Sequence, residues 1–144
     1  MNMLKRVAAA TVLAVGIAGV VEAHHAANSQ FDTTQTLAFQ GTLEKFYVGN
    51  PHGYWYFTRM VNGQAQHWAF ETSGPDALRR SGMKYREDLK IGATYHLAYN
   101  PALDGSDAGL IAGIKLQDGR ILGFYAKDSA DAAGALLNEK VLNQ

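Results

Sequence analysis

From Leu37 onward, most of the chain alternates apolar and polar residues with a period of two, the mark of strands buried on one face. Leu37, Phe39, Gly41 and Leu43 fall on one side, separated by Ala38, Gln40 and Thr42. After Glu44-Lys45 the pattern shifts to Phe46 and Val48, which predicts a bulge. Asn50-Pro51-His52-Gly53 then breaks the run, because proline lacks a donor and Asn and Gly favour turns. Tyr54 to Thr58 is an aromatic and β-branched strand. Val61-Asn62-Gly63-Gln64 is a hairpin turn, and Gln66 to Thr72 is the return strand. In that strand Trp68 and Phe70 share one face, while His67, Ala69 and Glu71 share the other.

A short helical insert follows, with Ser73 as expected N-cap, Pro75 in the first turn and Gly82 as the stop. Leu89 to Gly92 turns into a strand where Tyr95, Leu97 and Tyr99 alternate with Thr94, His96 and Ala98. Asn100-Pro101 and Asp104-Gly105-Ser106-Asp107 make a polar loop. Leu110 to Leu116 and Ile121 to Tyr125 flank Asp118-Gly119, a second hairpin. Ser129 to Leu142 is Ala-rich, with Leu136, Leu137 and Val141 on one side, and predicts a terminal helix that Gly134 weakens. The expected fold is mainly β: a small OB-like Greek-key barrel of five to six strands. It has a short helix between strands 3 and 4 and a C-terminal helix. A β-sandwich of similar strand count shares this periodicity and is the runner-up.

The first 23 residues change the reading of the rest. Lys5 and Arg6 precede an uncharged run of 15 residues, Val7 to Val21, and Val21 and Ala23 are the small residues of a cleavage site. The run is short of the roughly 20 residues that span a bilayer. The expected organisation is therefore a signal peptide over 1–23, a barrel over 24–125 and a helical tail over 126–144. Export to the periplasm, with no stable membrane insertion after cleavage, follows. The chain has no cysteine, which excludes both a lipid-modified anchor and disulfides. Without Lys5, Arg6 and Glu22, the 13 basic and 13 acidic residues become 11 and 12, a formal charge of −1. That balance, with no basic block, argues against nucleic acid as a partner.

Several motifs taken in order resemble one family of small secreted bacterial proteins, catalogued as a domain of unknown function. They are the His24-His25 start, Gly41-Thr42-Leu43-Glu44, Asn50-Pro51-His52 and the Trp68-x-Phe-Glu stretch. Ser73-Gly74-Pro75, Leu78 through Gly82 and Asp118-Gly119-Arg120 complete the set. The resemblance covers roughly residues 23 to 123 and implies a periplasmic OB-like domain, with no activity attached. Ala26 and Gly53-Tyr54 depart from the family pattern.

The candidate chemistry begins with histidine. If cleavage follows Ala23, His24 carries both a free α-amine and an imidazole, with pKa values near ~8 and ~6.5, so the pair can chelate Cu²⁺ at neutral pH. A second imidazole would complete a T-shaped nitrogen set suited to copper or a related transition metal. His52, on a Pro-fixed turn, is the first choice for it, His25 the second, and Asp32 is a further candidate ligand. The plainer alternatives are a solvated N-terminal tail and a His52 that bonds the turn backbone. No standard zinc spacing is present.

Aromatic residues are the second feature. Tyr54 and Tyr56 lie opposite Trp55 and Phe57, so one face is expected in the core and the other partly open to a protein or glycan ligand. Filling of the core by most of these rings is the competing explanation. Catalytic motifs are missing: there is no Gly-x-Ser-x-Gly, no His-Glu-x-x-His and no phosphate loop. Asp104 and Asp107 fall in a turn-like loop, and His67 and Glu71, four apart on one face, are too distant to bond each other. The expectation is a periplasmic, non-enzymatic binding protein that takes copper or a related metal through His24. The alternative is a metal-free module that binds through its aromatic face.

Overall fold

The computed structural model describes residues 29–124 and 127–139. The barrel unit begins at Phe31. The elements are β1 (Leu37–Tyr47), β2 (His52–Val61), β3 (Gln64–Ser73), α1 (Pro75–Arg80), α2 (Tyr85–Asp88), β4 (Thr94–Pro101), β5 (Ala108–Lys115), β6 (Ile121–Gly123) and α3 (Lys127–Glu139). The β2–β3 hairpin turns on Asn62 and Gly63, both at positive φ (51° and 78°). A two-residue turn whose twist matches the flanking strands needs that conformation, which Asn and Gly adopt most readily. The register of β1 on β2 shifts between Leu43 and Lys45, so the expected bulge sits at Glu44.

The strand order β3-β2-β1-β4-β5-β6 carries one additional pairing, β3 with β5. That pairing is parallel, with Ala69 opposite Ala108, Phe70 opposite Gly109 and Glu71 opposite Leu110. It joins the two ends of the first five strands into a closed OB-type barrel, so the sandwich is excluded. This closure bears out the OB-like barrel expected from the sequence, though its parallel pairing is not something the periodicity could show. Periodicity reports which face of a strand is buried and carries nothing about the direction of its neighbour.

Two helical details also differ from expectation. Ser73 is the last residue of β3, paired with His52, and Gly74 takes the N-cap of α1 without a side-chain bond. Strand pairing outcompetes the cap at this position. Helix α2 is a single turn, too short to show a helical period, and is closed by the Lys84 N–H donating to the Asp88 carboxylate at 2.8 Å.

The barrel interior is aromatic. Trp55, Phe57, Phe70, Tyr95, Leu43, Leu97, Ile111 and Ile114 are fully buried, and Leu78 of α1 joins the same cluster. Phe39 packs edge-on to Phe70 with ring centroids 4.9 Å apart, and Trp68 stacks on Phe70 at 5.7 Å. Offset and edge-on pairs of this kind add about 0.5–1.5 kcal/mol each beyond burial. The Arg59 guanidinium lies 4.7 Å from the Trp68 ring centre and 5.2 Å from that of Phe39, laying its charge across the aromatic cluster.

A second, smaller core lies where Ala133 and Leu137 of α3 pack on Ala98 and Ala112. This explains why β4 and β5 depart from simple alternation: Ala98 is as buried as Leu97 because a helix covers the outside. The contact is close. A Cβ on Gly113 would lie 2.9 Å from the Ala133 Cβ, so glycine lets the helix approach. Among the described residues no helix is long and apolar enough to cross a membrane.

Phe57 is fully buried in the main core and Ile91 is 66% exposed. Phe57→Ala should therefore lower unfolding free energy by about 3–5 kcal/mol in denaturant titrations. Ile91→Ala should stay within about 0.5 kcal/mol of the parent.

Candidate functional site

The outer face of β1–β2–β3 is the part of the barrel wall that carries candidate chemistry. Cross-strand register places Tyr47 beside Tyr54, Lys45 beside Tyr56, and Tyr54 beside Glu71. Alternation sends Trp55 and Phe57 inward, so Tyr54 and Tyr56 must face out. Tyr47 is 61% exposed and Tyr54 40%. The Lys45 ammonium lies 4.5 Å from the centre of the Tyr56 ring, which orders that ring while leaving it partly open. The Tyr54 phenol is pushed above its ordinary 10.0, first by the Glu71 carboxylate, then by burial and by Tyr56. It therefore keeps its proton and can donate a hydrogen bond at neutral pH.

The two ends of this face are marked by histidine–carboxylate pairs. At the end next to the β1–β2 loop, His52 Nδ1 donates to the Glu71 carboxylate. The Glu71 side chain is 10% exposed and that of His52 36%, so the imidazole screens the carboxylate from solvent. Among the described residues Nε2 is left as the ring nitrogen without a partner. The loop itself, with a cis Asn50–Pro51 bond, sits against the start of α1. A Cβ on Gly74 would lie 2.6 Å from the Pro51 carbonyl oxygen, so only glycine permits this approach.

At the other end, His67 Nδ1 lies 3.2 Å from the Glu44 carboxylate and 3.3 Å from the Thr58 hydroxyl. Bonds from Thr58 and then His67 hold the Glu44 carboxyl below its usual value. Hydroxyl, imidazole and carboxylate together have the makings of a relay, but both oxygens meet the same ring nitrogen. A relay needs the hydroxyl on one nitrogen and the carboxylate on the other. A shallow groove of about 510 Å³ runs here past Gln40, Thr42, Glu44, Thr58 and Met60.

The structure brings Tyr54 and Tyr56 onto one face, as the strand reading expects, and adds His52, which the sequence reading placed in the turn and which is the first residue of β2. His24 and His25 lie outside the described residues. The suggested backbone bond of His52 gives way to Glu71, a partner the sequence reading missed. Counting back from the Asn62-Gly63 turn sets Ser73 opposite His52 and Glu71 one step diagonal, so the signal was present in the hairpin register. His67 and Glu71 do not meet; each takes a different partner. Asp32 is engaged locally, accepting from Thr34 N–H at 3.0 Å and Gln35 Nε2 at 2.6 Å. Asp104 forms an Asx turn with Ser106 N–H at 2.9 Å. His96 is half-buried on β4, where burial and then Lys115 lower its pKa. Among the described residues no three His, Asp or Glu side chains gather as a metal site.

These features define an OB-fold domain with an open aromatic outer wall. The chain belongs to the family of unknown function DUF6152, whose model matches residues 11–112. The matched span takes in the Asn50-Pro51-His52 and Ser73-Gly74-Pro75 segments and stops before Asp118-Gly119-Arg120. No curated protein matches the chain. Two crystal structures of Rim1, a mitochondrial single-stranded DNA-binding protein of S. cerevisiae, are similar at 12% and 13% identity. They cover 58% of this chain and 93% and 94% of their own, with TM-scores of 0.46 and 0.45. A likeness that remote carries no functional argument.

The Glu44 carboxyl supports a pH test. Its folded pKa lies below the ordinary 4.5, so its stabilising contribution is present above that value and lost as pH falls through the folded one. Glu44→Gln should therefore flatten the acid limb of the stability–pH curve and leave the neutral region nearly unchanged, read by thermal melts from pH 7 downward.

Proposed function

We propose that this chain is an exported, periplasmic, non-enzymatic binding protein that holds a protein or glycan partner on the outer face of β1–β2–β3. The observation that carries this reading is the row of Tyr47, Tyr54 and Tyr56, three rings left accessible on a wall whose opposite side is a full aromatic core. Burying an apolar ring with a polar tip at low entropy cost is what makes tyrosine effective at interfaces. The face of β2–β3 and the β1–β2 and β4–β5 loops are also where OB barrels hold ligands. Glu44 and Glu71 stand against Lys45 on this wall, a charge balance unsuited to a polyanion. Export rests on the basic, apolar and small-residue pattern of residues 1–23. The non-enzymatic reading is supported by the shared ring nitrogen at His67.

In retention assays with periplasmic extract and with insoluble polysaccharide, Tyr54→Ala or Tyr56→Ala should weaken capture by roughly tenfold or more. A chelator should leave it intact. Retention at the parental level in both variants would overturn the reading.

A copper site is the second reading, favoured by Glu71 on Nδ1 of His52. A metal-ligating histidine is commonly held this way, with its other nitrogen presented to the ion. His24 would supply the amine and first imidazole, with His25 in reserve. On protein whose start at His24 is confirmed by mass spectrometry, Cu²⁺ titration should show a tight site lost in His24→Ala and in His52→Ala. Glu71→Gln should weaken it by about 10–100-fold. Parental affinity in His24→Ala would sink this reading.

A further inference from the structure

A cavity of about 310 Å³ opens between the end of β3, helix α1 and the end of β6, lined by Ser73, Ala77, Arg80, Ser81, Gly123 and Phe124. None of the outer-wall tyrosines borders it. Three of its residues, Ser73, Arg80 and Ser81, come from the Ser73-Gly74-Pro75 and Leu78–Gly82 segments, which the wall site leaves unexplained. We propose that this cavity is a binding site for a small organic carboxylate, with Arg80 as its anchor.

Two polar groups here are unused. Ser73 lines the cavity and is 8% exposed, and its hydroxyl has no hydrogen-bond partner among the described residues. That hydroxyl is not cut off from solvent, so it can donate to a ligand acceptor that enters the cavity. Arg80 likewise has no ion-pair or hydrogen-bond partner for its guanidinium among the described residues, while its neighbour Arg79 is held by Asp76. Ser81 already donates to the Leu78 carbonyl at 2.7 Å, so it offers an acceptor and a fixed wall.

The remaining surface is apolar. Phe124 is 2% exposed and is met edge-on by Trp55 with centroids 6.2 Å apart, so the floor is rigid. A cation and a hydroxyl donor above an apolar floor match a planar carboxylate on a small apolar body. Arg binds such a group through two parallel N–H donors. The volume equals about ten water volumes, which limits the ligand to roughly ten non-hydrogen atoms. It lies at the small end of ligand pockets.

The test uses the full chain, ¹⁵N-labelled, with benzoate as the probe, benzamide as its neutral counterpart and phenyl phosphate as a rival anion. Benzoate should shift the amides of Ser73, Ala77, Ser81 and Gly123 at millimolar concentration, and benzamide should bind far more weakly. Arg80→Gln, a change at an exposed side chain, should reduce benzoate affinity by roughly ten- to a hundredfold with an unchanged melting temperature, and Arg80→Lys should recover part of it. Equal binding of benzamide, unchanged affinity in Arg80→Gln, tighter binding of phenyl phosphate, or no shift with benzoate would each overturn the assignment.

Discussion

Everything positioned in this molecule depends on the parallel contact between β3 and β5. Three residue pairs, Ala69–Ala108, Phe70–Gly109 and Glu71–Leu110, convert a sheet into a tube. Closure seals Phe70 inside, and the same stretch of β3 carries Glu71, which anchors His52. Helix α1 leaves the barrel directly from β3, so the orientation of Ser73 and Arg80 descends from this contact as well. Phe39, Phe57, Trp68, Phe70 and Tyr99 then form a continuous chain of edge-on and stacked rings across the interior.

Much of the fold was legible in the residues. Asn62-Gly63, the shift after Glu44 and the alternation through Tyr95, Leu97 and Tyr99 each name a local structure that the chain adopts, because turn conformation and one-sided burial are local properties. The direction of β5 against β3 was not legible, since it joins segments about forty residues apart in a manner no local pattern encodes. The burial of Ala98 and Ala112 was hidden for a related reason: alanine is tolerated on either face, and only the arrival of Ala133 and Leu137 decides.

The candidate site divides along the same line. That Tyr54 and Tyr56 oppose Trp55 follows from the two-residue repeat, and their exposure follows from the core being full. That His52 meets Glu71 requires register, which the hairpin turn supplies to anyone who counts across it. That the Ser73 hydroxyl and Arg80 guanidinium lack partners among the described residues could not be read from sequence, because being without a partner is a property of the folded surroundings. Ser73 looked like a helix cap, and strand pairing with His52 took it away from that role.

Before β3 reaches β5, its Gln64–His67 stretch borders β2 alone. At the other end of the ladder, β6 is three residues long and lies under α3. Open backbone edges are where sheets from separate molecules join into fibres, and long, flat, apolar edges are the most dangerous. Here one edge is short and polar, ending where His67 meets the Glu44 carboxylate, and the other is brief and shielded. Copies of this chain are thus poorly equipped to extend one another's sheet. Crowded together, they would meet through side chains rather than by joining backbone to backbone.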